Sequence, residues 1–340
     1  MAIAHVSLDP SIAVLGTEQE TALGRRRHAS AMTRLVAVRI ATAIFVLWAA
    51  VTATFLAVHL APGDTVSLLL GENRDDPEAR AAVIQRWGLD QPIWAQYLTY
   101  LGRIPAGDFG TSYVLRRPVG ELIAESMVPT FQLAALGGLG MVVIGFVVAY
   151  FSTARIPGLR PISNTVQLIF LSAPPFWLAI VLLAIFSFQL GWFSVVDFDS
   201  WQGMILPVAA IAIPTGFYFA QVLSEGIDRA MEQPFALTAR TRGLSRGGVR
   251  YHHALRHAAL PGITVAGLTI GGLLGGAVFV ETVFGRPGLG QIAVNAVTVK
   301  DVPLILGATI VTTAAFVLAS TAVDLVGIFL DPRLRAAKRI

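Results

Sequence analysis

Six long apolar runs, separated by polar stretches of very unequal length, dominate the chain. They occupy 40–58, 131–151, a segment inside the uncharged stretch 165–196, 204–223, 262–280 and 302–323. A helix needs about 20 apolar residues to cross about 30 Å of hydrocarbon, and each run meets that length. Backbone polar groups in lipid must be satisfied within their own segment, so each run is expected as a helix rather than a strand. The pattern predicts an all-α integral membrane protein with six transmembrane helices. Composition agrees: 55% of residues are hydrophobic, 14% are charged and the mean hydropathy is +0.68, where a soluble domain carries about 25% charged residues.

The positions of Lys and Arg set the expected orientation. With both termini inside, the cytoplasmic pieces 1–39, 152–164, 224–261 and 329–340 hold 17 of the 25 basic residues. Six of the remainder fall in a loop of about 70 residues, long enough that its charges weigh little on topology. The net charge of +4 is therefore a topology signal, and no nucleic-acid partner is expected. The chain has no cysteine, which removes disulfides and thiolate chemistry. Residues 1–34 are a polar extension without the apolar core of a signal peptide. Arg25, Arg26 and Arg27 are expected to anchor the first helix on the cytoplasmic side.

Two connections are too long to be mere links. The loop 61–129, expected outside, contains helix-like stretches at 77–87 and 92–101, the latter with Trp94, Leu98 and Leu101 on one face. Trp87, Trp94, Tyr97 and Tyr100 suit a membrane–water boundary. The inner loop 224–261 is basic and punctuated by glycine. There Pro234 can open a short helix through Phe235, Ala236, Leu237, Thr238, Ala239, Arg240, Thr241 and Arg242. Gly243 is placed to stop it as a left-handed cap, ahead of Leu244. A second helix over about 247–259 is expected to run to Leu260-Pro261 at the start of the fifth span. A compact helix held on the cytoplasmic side in this way is suited to dock in a groove of a soluble partner.

Other candidate chemistry is sparse. Gly267, Gly271 and Gly275 recur every fourth residue, with Gly272 and Gly276 beside them. Such a stripe lets another helix backbone approach closely, in this chain or a neighbouring one, and is assigned to helix packing at the pore. His59, Glu281 and Asp324 lie at expected helix ends, where their side chains can reach the interface. No charge falls in the middle third of a span, which argues against the proton or sodium relay of a secondary transporter. His253 and His257 share a helical face but lack a third ligand, so no metal site is expected. A phosphate-cradling P-loop needs Gly-Lys, and the two lysines, Lys300 and Lys338, follow Val299 and Ala337. No nucleophile–base pair emerges either, so the chain is expected not to be an enzyme.

The segment Thr238-Ala239-Arg240-Thr241-Arg242-Gly243-Leu244-Ser245, with His253-Ala254-Leu255-Arg256 and Leu260-Pro261, resembles the cytoplasmic coupling loop of ABC importer permeases. Further matches are Leu60-Ala61-Pro62-Gly63-Asp64, Gly88-Leu89-Asp90-Gln91-Pro92, Gly107-Asp108-Phe109-Gly110-Thr111-Ser112, Pro174-Pro175-Phe176-Trp177, Glu281-Thr282-Val283-Phe284 and Pro287-Gly288-Leu289-Gly290. Together they are similar to the B-type subunit of the dipeptide/oligopeptide/nickel permease family. Leu237 and Thr238 replace the Glu-Ala that opens the general importer motif, a departure characteristic of the peptide branch.

The resemblance implies a type I importer permease fold over 35–335, followed by a short tail at 336–340, in a bacterial cytoplasmic membrane. It implies a homologous second permease of the C type, two ATPase subunits or an ATPase heterodimer, and an extracytoplasmic substrate-binding protein. ATP and Mg would bind those ATPases, and no cofactor is expected on this chain. Pro234–Leu244 would be the coupling helix. Asp108, Gly110, Glu281, Phe284, Pro287, Gly288 and Gly290 would lie on the outer-gate, binding-protein side. Di- and oligopeptides are the expected cargo, with nickel chelates, glutathione or haem as alternatives, and a secondary transporter or membrane scaffold as the competing class.

Overall fold

The computed structural model describes residues 37–73, 75–153, 159–194, 197–198 and 200–330. Arg25–Arg27, the rest of the polar extension and the tail 336–340 lie outside them. Contacts divide the chain into two units, Met1–Ala49 and Ala50–Ile340. The boundary falls within α1 (Ala37–Leu60), a 24-residue apolar helix. In the first unit, the Thr42 hydroxyl donates to the Val38 carbonyl at 2.8 Å. The rings of Phe45 and Trp48 lie 5.8 Å apart.

The second unit is helical apart from turns and one isolated bridge, Thr111–Pro118, among the described residues. After α1 come three shorter helices, α2 (Thr65–Leu70), α3 (Pro77–Trp87) and α4 (Ile93–Arg103). The long helices follow: α5 (Val119–Thr153), α6 (Leu159–Ser172) with α7 (Pro175–Leu182), and α8 (Trp201–Met231). Then come the short α9 (Pro234–Thr241) and α10 (Arg246–Val249). Last are α11 (Leu255–Phe284), α12 (Leu289–Thr298) and α13 (Val302–Leu330). Among the described residues, five helices are long and apolar enough to cross a membrane, or six if the bent pair α6–α7 is one span.

That pair divides the third expected helix, inside 165–196, into two segments. Arg160–Ser172 and Pro175–Gln189 meet at 102°. The cause is local: Pro174 and Pro175 supply no N–H, and a proline disfavours helical geometry in the residue before it. Pro174 adopts an extended backbone (φ −60°, ψ 137°) and its carbonyl accepts from Trp177 and Leu178, starting α7 afresh. α7 then widens into a π-helical stretch over Leu183–Gln189.

A correction concerns Pro261. The expected helix over 247–259 does not stop there. Arg246–Val249, a π-helical turn at Arg250–Ala254 and Leu255–Phe284 follow one another without a gap, with Pro261 inside. Proline within a membrane helix is tolerated where neighbouring helices re-satisfy the freed backbone groups. α13 likewise passes Asp324, the expected end of the sixth span, and continues to Leu330; the Asp324 side chain lies outside the described residues.

The core lies where α5, α7, α8 and α11 converge. Leu133, Ala179, Leu206, Ala210, Ile211, Leu273, Ala277 and Val280 form one buried cluster. Met141, Ala149, Phe219, Ala220 and Leu223 form another along α5 and α8. Glycines let these two helices approach. A Cβ on Gly140 would stand 2.7 Å from that of Ala212, and one on Gly216 would stand 2.7 Å from that of Ile144. The opposite face of α5 exposes Leu139, Val143, Phe146, Val147 and Tyr150, an apolar band of the kind that meets lipid or a partner.

Candidate functional site

At one end of the long helices, α9 is pinned between the close of α8 and the start of α11. Ala236 is buried, and the Phe235 ring stacks on His257 at 4.7 Å. Ile227, Ala230, Ala254 and Ala258 close the contact. Pro234 begins the helix, and Gly243 ends it at φ +90°. The Gly243 N–H donates to the Arg240 carbonyl at 3.0 Å, and the Leu244 N–H donates to that of Ala239 at 3.2 Å. This pair of bonds is a Schellman termination. Ser245 opens the next helix, its hydroxyl accepting from Gly248 N–H at 3.1 Å. With its inner face committed, α9 turns Leu237 (64% exposed), Thr238, Arg240 and Arg242 outward, and Leu244 (42% exposed) follows. His253 and His257 are both exposed, and His257 stacks on Phe235.

At the other end, α12 is held at both its termini. Gly288, its N-cap, offers no side-chain acceptor. The Glu281 carboxylate from α11 takes that role, accepting from Gly290 N–H at 2.7 Å and Gln291 N–H at 3.4 Å. It also accepts from the Thr130 hydroxyl of α5 at 2.5 Å, and that hydroxyl accepts from Leu289 N–H at 2.8 Å. A carboxylate at a helix N-terminus answers both its unpaired donors and its dipole. Glu281 is fully buried, which corrects the expectation that it reaches the interface. A Cβ on Gly288 would collide with the Glu281 carboxyl group, and one on Gly290 would collide with Val278 and the same carboxyl. The Pro287-Gly288-Leu289-Gly290 run is small for that reason.

Beyond α12, Asp301 is buried and accepts from the Ser112 hydroxyl at 2.5 Å and from Tyr113 N–H at 3.2 Å. Lys300 donates to the carbonyls of Ala61 and Gly63, each at 2.7 Å. Of the residues expected together at the outer gate, Glu281, Phe284, Gly288 and Gly290 gather at the first of these termini, and Pro287 is exposed there. Asp108 and Gly110 lie apart from them, with Gly110 against Pro303 at the start of α13.

The aromatic expectations change as well. Tyr97 shares a hydrogen bond with Thr52 at 2.6 Å, and Trp87 packs on Tyr113 at 4.7 Å; both are half-buried, whereas Trp94 is exposed. Along the glycine stripe, Gly267 is buried, and a Cβ on Gly271 would stand 3.6 Å from the Phe316 ring. Gly272, Gly275 and Gly276 have nothing within 4 Å of an added Cβ, so that part of the stripe packs on nothing among the described residues.

A polar crevice of about 240 Å³ between α6 and α8 was not anticipated. Asn164, Gln167, Gln221 and Ser224 line it, and the Arg160–Asp228 ion pair lies at its edge. The Gln167 amide donates to the Ser152 and Ser163 hydroxyls at 2.9 and 3.1 Å. The sequence signal was there: amide side chains at helical spacing inside otherwise apolar runs.

Residues 141–336 match the family described as binding-protein-dependent transport system inner membrane component, and residues 32–134 match its N-terminal companion. The chain belongs to this family. It is a multi-pass membrane permease of an ABC importer, a class that transports rather than catalyses and that works with ATPase and substrate-binding subunits. Glutathione transport system permease protein GsiC of Salmonella typhimurium is 35% identical over 83% of this chain and 92% of its own length. The Escherichia coli K12 protein of that name is 34% identical over the same shares. A chain of the MetNI methionine ABC transporter aligns with a TM-score of 0.47 at 18% identity, over 62% of this chain and 96% of that one.

Proposed function

We propose that this permease forms one half of a translocation pathway for di- and oligopeptides, with glutathione as a second cargo, and that α9 is its docking helix for an ATPase. The observation that carries the reading is the construction of α9. A helix fixed on its inner face and stopped by Gly243 presents two leucines and two arginines to the outside. Exposed apolar side chains rimmed by charge mark a protein interface more often than a solvated turn. The glutathione alternative is favoured by the relatives at 34–35% identity, which are glutathione transport system permeases; nothing comparable favours nickel chelates or haem.

In this reading α6 and α7 are one broken span, making six, and both termini and α9 face the cytoplasm of a bacterial inner membrane. Residues 35–335 form the permease domain. A homologous C-type permease completes the pathway, packing on the open glycines of α11, and two ATPases supply ATP and Mg. The binding protein approaches the face that carries α12. In this reading the crevice between α6 and α8 lies at the cytoplasmic ends of these helices, beside the Arg160–Asp228 ion pair.

The test is uptake into proteoliposomes holding the complex with its partner subunits. Labelled tripeptide and glutathione are supplied with the binding protein, with and without internal ATP. ATP-dependent accumulation that requires this chain supports the reading. Uptake that needs only an ion gradient refutes it.

A further inference from the structure

Facing away from α9, the segment α2–α4 builds a pocket of about 490 Å³ against the start of α13. That volume lies within the range of small-molecule sites, about 300–1,000 Å³. Its floor is apolar, formed by Phe55, Phe109 and Leu306. Its walls carry two guanidinium groups, Arg86 at the end of α3 and Arg103 at the end of α4, one carboxylate, Asp108, and Gln91, Gln96 and Thr99. Among the described residues neither arginine has a carboxylate within salt-bridge distance, whereas Arg80 and Arg117 each do. Arg86 lies over the Trp87 ring at 5.4 Å, a stacking that holds a guanidinium plane in place.

The Tyr100 hydroxyl on the same wall is buried and has no hydrogen-bond partner among the described residues. A buried hydroxyl left unsatisfied is costly, so an arrangement that keeps one is suited to a partner from outside the chain. Burial, and then the charge of Asp108, push Tyr100 well above the usual phenol range. Burial and the charge of Asp301 raise Tyr113 to about 12 against the opposing charge of Arg103. Both phenols are therefore protonated donors. Two cationic forks, phenol and amide groups, and an apolar floor match a solute with a carboxylate, peptide bonds and an aliphatic or aromatic side chain.

We propose that this pocket is a peptide-binding site on the permease itself, which recognises the free C-terminal carboxylate through Arg86 and Arg103. The choice of peptide as probe rests on the functional reading above; the pocket's anion chemistry does not.

The test uses the full-length chain in lipid nanodiscs, titrated calorimetrically with trialanine, with trialanine C-terminal amide and with sulfate. Saturable binding of trialanine is expected, with the amide about ten-fold weaker for want of one charge-assisted hydrogen bond. In R86Q/R103Q the acid should fall to the amide's affinity while the amide's own binding is little changed. Absence of saturable trialanine binding overturns the proposal, as does equal binding of acid and amide by the unmodified chain. So does sulfate competing as well as trialanine, which would mark a mere anion patch. The failures separate cleanly. Carboxylate-selective binding by a complex that takes up no peptide refutes the importer reading and leaves the site standing. ATP-driven peptide uptake without such binding refutes the site alone.

Discussion

The close approach of α5 and α8 gives a sharp prediction when set against the open stripe of α11. A Cβ on Gly216 would lie 2.7 and 2.8 Å from Ile144 Cβ and Cγ2, and 3.3 Å from the Met141 carbonyl oxygen. Carbon atoms rest near 3.5–4.0 Å apart, so Ile144 must retreat by about 1 Å. The Met141 carbonyl belongs to the helix and cannot rotate aside. Overpacking of this kind costs about 1–3 kcal/mol. A Cβ on Gly275 meets nothing within 4 Å. Both residues are mid-helix, so the helix-propensity gain of alanine over glycine, about 1 kcal/mol, is common to both and cancels in the difference. Gly216→Ala should therefore be less stable than Gly275→Ala by about 1–3 kcal/mol. The assay is unfolding of the isolated chain from mixed micelles by added SDS, followed by far-ultraviolet circular dichroism. Equal stabilities, or a greater loss at Gly275, would refute the packing argument.

Three further outcomes follow from the same geometry. Glu281→Ala leaves the Gly290 and Gln291 N–H groups of α12 without their acceptor and should cost about 1–3 kcal/mol, the penalty of unpaired buried donors; the same SDS titration measures it, and no measurable loss would show that α12 needs no such cap. In the cysteine-free chain, Ala79→Cys on α3 should react with a membrane-impermeant maleimide in intact cells, and labelling only from the cytoplasmic side would invert the proposed topology. Asp64 caps α2; although burial opposes ionisation, bonds from Ser67, Arg80 and Val66 N–H hold its carboxyl below the ordinary aspartate range. A depressed folded pKa gives stability that is present above the unfolded value of about 3.9 and is lost as pH falls through the folded one. Amide exchange in Thr65–Leu70 should accelerate on acidification through that window, and Asp64→Asn should remove the dependence.

What was legible in the sequence was what short-range physics decides. The apolar runs gave the spans because lipid demands length and hydrophobicity together, and Pro234 with Gly243 bounded α9 because their backbone preferences are local. The 77–87 stretch likewise matched α3. The failures were of two kinds. Pro174-Pro175 carried its own signal for a break, but the uncharged run around it looked like one uninterrupted span. The others depended on distant partners. Glu281 looks interfacial at the end of a run until Thr130, 151 positions earlier, comes to meet it. Asp301 and Ser112 are 189 positions apart. The glycines of α5 and α8 follow no single regular stripe, since each answers its own neighbour: Gly137, Gly145 and Gly216 face Ile211, Phe219 and Ile144, while Gly140 faces Ala212 and Gly226 faces Ala258. The stripe that is regular, on α11, is the one the chain leaves largely open.

The central claim is that α9 transmits ATP hydrolysis to the membrane helices, and coupling in the reconstituted complex tests it most directly. Arg240→Glu reverses a charge on the exposed face of α9. Gly243→Val puts a β-branched side chain at φ +90°, where such residues are strained. Neither touches a spanning segment, so both variants should insert and assemble at near-normal levels. Hydrolysis and peptide uptake are then measured side by side, with loaded binding protein present. The account predicts that ATP-driven uptake is lost in both, together with the stimulation of hydrolysis by loaded binding protein. Uptake and stimulation at wild-type levels in both would contradict it, because an exposed charge that serves no contact changes stability by less than about 0.5 kcal/mol and nothing else.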